Sequence, residues 1–269
     1  MAKLPLLLPG NFSLTPAGES VFVTRDGASI RGKMLPAQGV NRTYCFGEYV
    51  LLLSSTGTRV VSTSTHSAVF FYPGEYFSFS STPGGFLLGS GDGSVHKIAI
   101  EAGRFLFDRK FQIHRKAILA VAFVQSLGIS VAGDENGAVW KFVGNSATLI
   151  FQTNTGFVLE IFPVSETAII VVSSAGQIVH LEISGDERVI QPKFTVQSHG
   201  HTVNAAAFTA DFVALGGEDG SVNIWTSADG KLVKSERVVD GCITGLAFSE
   251  DRKLRGVAYD REFEFSVNF

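Results

Sequence analysis

Apolar and polar residues alternate along this chain with the short period of β-strands, and turn residues interrupt them every few positions. The clearest stretch is GGEDGSVNIWTSADGK, residues 216–231. Asp219-Gly220 and Asp229-Gly230 read as tight turns, because glycine accepts positive φ without steric cost. Val222, Ile224 and Trp225 make an apolar strand between them, with Asn223 on the alternate side. Before it come Gly200-His201, the run VNAAAFTA and the small-residue run FVALGG. The order is a loop, an apolar strand ending in Phe, a buried strand, an Asp-Gly turn and a Trp-bearing strand.

That order recurs. Turn residues fall at Gly27, Gly57, Gly93, Gly137, Gly176 and Gly220, with Asp260-Arg261 where a further Asp-Gly would stand. The steps run from 30 to 44 residues, close to the ~40–45 of a four-stranded propeller blade. A bulky residue 11–14 positions before each turn marks the end of the preceding strand: Leu14, Phe46, Phe79, Phe123, Phe162, Phe208 and Phe248. Strands crowded about an axis need small residues, and Ala120, Ala122, Ala205, Ala207, Gly245 and Ala247 supply them. The next strands, FLLGSG, SVAGD, IIVVSS and FVALGG, are apolar runs suited to burial between neighbouring blades.

This pattern resembles the WD-repeat family of β-propellers in divergent form. The expectation is an all-β fold: one seven-bladed propeller spanning residues 1–269. The last unit shows three strands, so residues 3–8 are expected to pair with 263–268 and close the ring, removing exposed strand edges. The Trp-Asp pair that names the family is absent, since Thr226 follows Trp225. The resemblance implies a hydrogen-bonded blade network of His201, Asp219 and Trp225, left incomplete because Leu215 stands at the expected Ser or Thr position. Ile113-His114 occupies the place of the Gly-His dipeptide in an earlier unit.

Composition narrows the function. Apolar residues make up 45% and charged residues 17%, which excludes a disordered chain. The net charge of −3 argues against nucleic acid or an acidic membrane as partner. No apolar run approaches the ~20 residues of a membrane span, and Pro5 and Pro9 interrupt the short Leu cluster of MAKLPLLLPG, which reads as mature sequence. Cys45 and Cys242 are too few for a disulfide framework and fall in non-adjacent blades, so no disulfide is expected between them. An intracellular location, cytoplasmic or nuclear, follows as the expectation.

Chemistry-bearing motifs are few. Gly89-Ser90-Gly91-Asp92-Gly93 leads into a strand, not the helix a phosphate loop requires. No Cys-x-x-Cys and no His pair at helical ligand spacing is present; His199 and His201 lack a third ligand. No nucleophile elbow appears. The expectation is therefore no catalytic residue, no cofactor and no metal. Arg104, Arg109, Lys110, Arg115 and Lys116 cluster with Phe105, Phe107, Phe111 and His114. Such a segment, 104–116, suits a solvated outer strand or, alternatively, RNA or phosphoinositide binding. A central-channel enzyme or small-ligand binder is a further alternative. The leading reading is a non-catalytic interaction scaffold, a subunit of a larger assembly with other proteins as partners. By resemblance, the docking face would include Arg25, His114, Arg115, Glu135, His201, Glu218 and Arg261.

Overall fold

The structure, a computed structural model, describes residues 12–14, 20–24, 27–30, 33–36, 39–144, 146–183, 190–249, 253–258 and 261–266. Every sheet is an antiparallel meander of consecutive strands. Blade 1 contains β1 (Phe12–Leu14), β2 (Ser20–Thr24), β3 (Gly27–Ile30) and β4 (Lys33–Pro36), and blade 2 contains β5 (Val40–Phe46), β6 (Tyr49–Ser54), β7 (Gly57–Ser62) and β8 (Ala68–Pro73). Blade 3 is β9 (Tyr76–Thr82), β10 (Gly85–Ser90), β11 (Ser94–Glu101) and β12 (Arg104–Gln112). Blade 4 is β13 (Ile118–Val124), β14 (Ile129–Asp134), β15 (Ala138–Val143) and β16 (Ser146–Gln152). Blade 5 is β17 (Val158–Pro163), β18 (Ala168–Ser173), β19 (Gln177–Glu182) and β20 (Pro192–Gln197). Blade 6 is β21 (Val203–Phe208), β22 (Phe212–Gly217), β23 (Ser221–Thr226) and β24 (Leu232–Arg237). The remaining sheet is β25 (Ile243–Phe248), β26 (Lys253–Ala258) and β27 (Arg261–Ser266).

First strands lie innermost. Each contacts the first strand of the next sheet, and β1 packs against both β5 and β25, so the sheets form a ring. Second strands are buried between neighbours: Ile169, Ile170, Val171 and Val172 of β18 are fully inaccessible. Burying each such side chain stabilises by roughly 1.5–3 kcal/mol. Fourth strands form the outer rim, and β8, β20 and β24 each expose half or more of their residues. The marker aromatics close the seams between blades, as where Phe162 stacks on Phe208 at 5.3 Å between ring centres.

One expectation is corrected. The propeller has six complete blades, not seven, because β25–β26–β27 stops at three strands and no N-terminal strand joins it among the described residues. Residues 3–8, the expected closing strand, lie outside the described residues. Among the described residues β27 is the last strand of its sheet, and it exposes Arg261, Glu262 and Glu264; charge, and not pairing alone, keeps an edge from recruiting a strand. Ion pairs from Lys253 (2.7 Å) and Arg255 (3.1 Å) to Glu264 tie β27 to β26.

Candidate functional site: the turn face and the ring centre

The turns between second and third strands, and the loops before the first strands, lie at the same end of the blades. One backbone lock repeats there. In blades 3 to 6 the turn glycine, Gly93, Gly137, Gly176 or Gly220, has φ between 80° and 83°. Its carbonyl accepts a bond from the chain leaving the outer strand: Ile113 (3.1 Å), Thr153 (2.9 Å), Ser198 (2.8 Å) and Val238 (3.0 Å). A second bond joins each turn to the loop entering the same blade, donated by Gly91, Glu135, Ser174 and Glu218 to Glu75, Ala117, Phe157 and Thr202. This face is thus held by backbone geometry, and its side chains project from fixed points.

Blade 4 carries the most developed side-chain network. Asp134, fully buried, accepts from the backbone N–H of Asn136 (2.9 Å) and Ala138 (3.0 Å) and from Trp140 Nε1 (3.2 Å). His114 stacks on Trp140, with ring centres 5.4 Å apart, and its Nδ1 lies 3.6 Å from Asp134 Oδ2. Beside it Lys116 pairs with Glu135 at 3.1 Å and Arg115 is exposed.

Blade 6 is built differently from the His201–Asp219–Trp225 network expected there. Trp225 Nε1 donates to Ser198 Oγ at 2.7 Å, and Asp219 accepts from the Ser221 amide (3.0 Å) and hydroxyl (2.9 Å). His201 is exposed, 3.8 Å from Glu218. The buried imidazole is His199, whose Nε2 donates to the Leu215 carbonyl at 3.3 Å. Trp140 follows its turn glycine by three residues and Trp225 by five, while Asp134 and Asp219 precede theirs by three and one, so the two pairs sit differently in their turns. Of the other candidates, Arg261 opens β27 and is exposed, while Arg25 lies outside the described residues.

In blade 3, His96 takes the place of Trp140. Ser94 donates to Asp92, so His96 Nε2 donates to Ser94 Oγ (2.8 Å) and its Nδ1 accepts from Tyr72 (3.1 Å), while the Tyr76 hydroxyl, which donates to the Pro73 carbonyl (3.2 Å), lies 3.0 Å from the same nitrogen. Burial pushes the Asp92 carboxyl up, but Lys110 at 2.5 Å and the hydroxyls of Ser94 and Ser90 outweigh it and hold it well below the usual range. The basic segment is therefore partly neutralised within the fold: Lys110 by Asp92, Lys116 by Glu135, and Arg109 faces Asp108 at 3.6 Å.

Burial lowers the imidazole pKa of His96, His180 and His199. A folded-state pKa below the unfolded one means that the unfolded chain binds protons first as pH falls, so stability is complete above the unfolded pKa of about 6.5 and is lost below it. Thermal unfolding is expected to give a lower midpoint at pH 5.5 than at pH 7.5. A midpoint constant over that interval would refute the contribution. The Asp92 and Asp219 carboxyls are also lowered, because the upward push of burial is outweighed by hydrogen bonds, and they add their loss in the same direction, only in more acidic solution.

Among the described residues one ion pair bridges the ring centre. Arg42 of β5 reaches from blade 2 to Glu160 of β17 in blade 5, with Nη1 2.5 Å from Oε1, and also donates to Tyr44 Oη (3.0 Å) and the Leu159 carbonyl (3.4 Å). Burial alone would lower the guanidinium pKa, but Tyr44 and Glu160 outweigh it and keep it charged. Tyr44 is pushed up to about 12 by burial, against the opposing pull of Arg42. A cavity of about 280 Å³ lies on one side of the bridge, against the inner strands of blades 1, 2, 5 and 6 and of the three-stranded sheet. Cys45 and Cys242 are both free thiols, and burial pushes Cys45 up to about 11, away from nucleophilic chemistry. Among the described residues no three His, Cys, Asp or Glu side chains converge as a metal site, and no helix is long and apolar enough to cross a membrane.

Ring and locked turns together define a β-propeller. The solved crystal structure of the mitotic checkpoint complex contains a chain that superposes with a TM-score of 0.82 at 12% identity, over 98% of this chain and 90% of that one. At that identity the likeness shows the fold. The chain is also similar to the ribosome biogenesis protein BOP1 homolog of Caenorhabditis elegans, 38% identical over 76 residues. That match spans 26% of this chain and 11% of the relative. No family model matches the chain.

Proposed function

We propose that this protein is a divergent WD-repeat-type propeller acting as a non-catalytic interaction scaffold inside the cell, cytoplasmic or nuclear, as a subunit of a multiprotein complex. The observation that carries the reading is the repeated backbone lock, which fixes one face while leaving Arg115, His201, Glu218 and Arg261 exposed upon it. A surface ordered before binding loses little conformational entropy when a partner docks. The relatives' names, a ribosome biogenesis protein and a checkpoint complex, fit an assembly role and leave the partner open. The bridge at the ring centre also weighs against channel chemistry, since Arg42 and Glu160 satisfy each other. The neutralised lysines likewise weigh against RNA or phosphoinositide binding through residues 104–116.

The test is quantitative affinity purification from the native cell with wild type and with Arg115→Glu combined with Lys116→Glu. Both residues are exposed, so the thermal midpoint should stay within a few degrees. Recovery of at least one co-purifying protein is expected to fall about tenfold or more. Unchanged recovery of every partner would remove these residues from the docking face, and strong heparin retention abolished by the same pair would favour the anionic-ligand reading.

A further inference from the structure

A groove of about 290 Å³ runs between blades 3 and 4. It is bordered by Pro83, Gly128 and Gly144, which lie in the turns after the first and third strands, so it opens on the face opposite the locked turns. Its floor is aromatic, formed by Phe111, Phe123 and Phe142, with the Phe111 and Phe142 ring centres 5.3 Å apart. At its lip Val143 is 59% exposed. Gly128 and Gly144 face open space there. This seam is lined largely by apolar side chains and opens to solvent.

The wall of the groove is positive. Lys97 and Arg109 stand opposite each other in the β11–β12 register, with side chains 36% and 53% exposed. The Arg109 guanidinium lies 5.8 Å from the centre of the Phe111 ring. Asp108 pairs with Lys97 (2.9 Å) and Arg109 (3.6 Å), so two cations share one carboxylate and a single positive charge remains over the aromatic floor. A nucleic acid backbone needs a row of cations free of carboxylates. One carboxylate beside an apolar side chain needs only this pair, with Arg offering a planar fork to it.

We propose that this groove docks an extended acidic–aromatic segment of a partner protein, its aromatic or branched apolar side chain on Phe111 and Phe123 and its carboxylate against Arg109 and Lys97. The protein would then hold partners on both faces of the disc. The proposal stands apart from the turn-face reading, because each site has variants that spare the other.

Fluorescence anisotropy on the full chain tests it with three labelled probes: a dodecapeptide with one Phe among Glu and Ser, the same peptide with Lys in place of Glu, and a uridine dodecamer. The acidic peptide is expected to bind saturably and the lysine peptide not to bind. Arg109→Glu and Val143→Glu should each weaken the acidic peptide by about tenfold or more, with the thermal midpoint unchanged because both positions are exposed. Arg115→Glu with Lys116→Glu should leave it unchanged. Absent saturable binding, equal binding of the two peptides, binding indifferent to Arg109 and Val143, or uridine bound through Arg109 in place of the peptide would each overturn the proposal.

Discussion

Replacing Arg42 with Met destabilises the protein by about 3 kcal/mol in urea unfolding, the low end of the cost of stranding one member of a buried ion pair, because the Glu160 side chain is 20% exposed. Arg42 is 4% exposed and the Met side chain fills its volume without its charge. Glu160 is then left at the ring centre without its guanidinium, and Tyr44 Oη and the Leu159 carbonyl lose a donor. The paired substitution Arg42→Met with Glu160→Leu is expected to recover most of the loss, because two apolar groups need no compensation. A single-mutant loss below about 1 kcal/mol, or no coupling between the two changes, would show that the bridge does not hold blades 2 and 5 together.

Gly220→Ala is the second large effect, about 2–4 kcal/mol. At φ 81° an L side chain is already strained, and the added Cβ would run into the Val239 carbonyl, with the Gly241 carbonyl 2.9 Å away. Neither can yield easily, since the Gly220 carbonyl is itself bonded to the amide of Val238 at 3.0 Å. Gly47→Ala provides the control. Gly47 has φ 53°, yet nothing lies within 4 Å of its added Cβ, so only the backbone strain of about 1–2 kcal/mol applies. Equal losses at the two sites, read from thermal or urea unfolding, would mean that the lock on the turn face contributes nothing.

Several features were legible in the chain and others were not, for physical reasons. The turn glycines and the aromatic markers located the blades because both are local: a positive-φ turn needs Gly wherever it occurs, and inner strands need a bulky terminus at a fixed distance. Closure was not local. By strand count a three-stranded last unit reads as incomplete, yet β27, the last strand of its sheet among the described residues, exposes Arg261, Glu262 and Glu264. The turn consensus is strongest around Trp225, which points a blade network there, while Trp140 meets Asp134 in blade 4. The spacing could have shown this: Asp134 precedes Gly137 by three residues and Trp140 follows it by three. Likewise His199, not His201, is buried, because the Gly-His dipeptide marks the loop and not the side chain that enters the core. The Arg42–Glu160 bridge joins residues 118 apart and no one-dimensional rule could pair them. The chain alone leaves segment 104–116 readable as a solvated outer strand or as an anion-binding surface, because Asp92 and Glu135, which pair with Lys110 and Lys116, lie on other strands and turns.

The central claim is that the locked turn face meets other proteins. Chemical crosslinking of the native assembly with an amine-reactive reagent, read by mass spectrometry, tests it most directly. Lys110 and Lys116 lie at the turn-face end of the blades, whereas Lys231 and Lys253 follow turns at the opposite end. The account predicts intermolecular links from Lys110 or Lys116 to a partner. Links from Lys231 and Lys253 with none from Lys110 or Lys116 would contradict it.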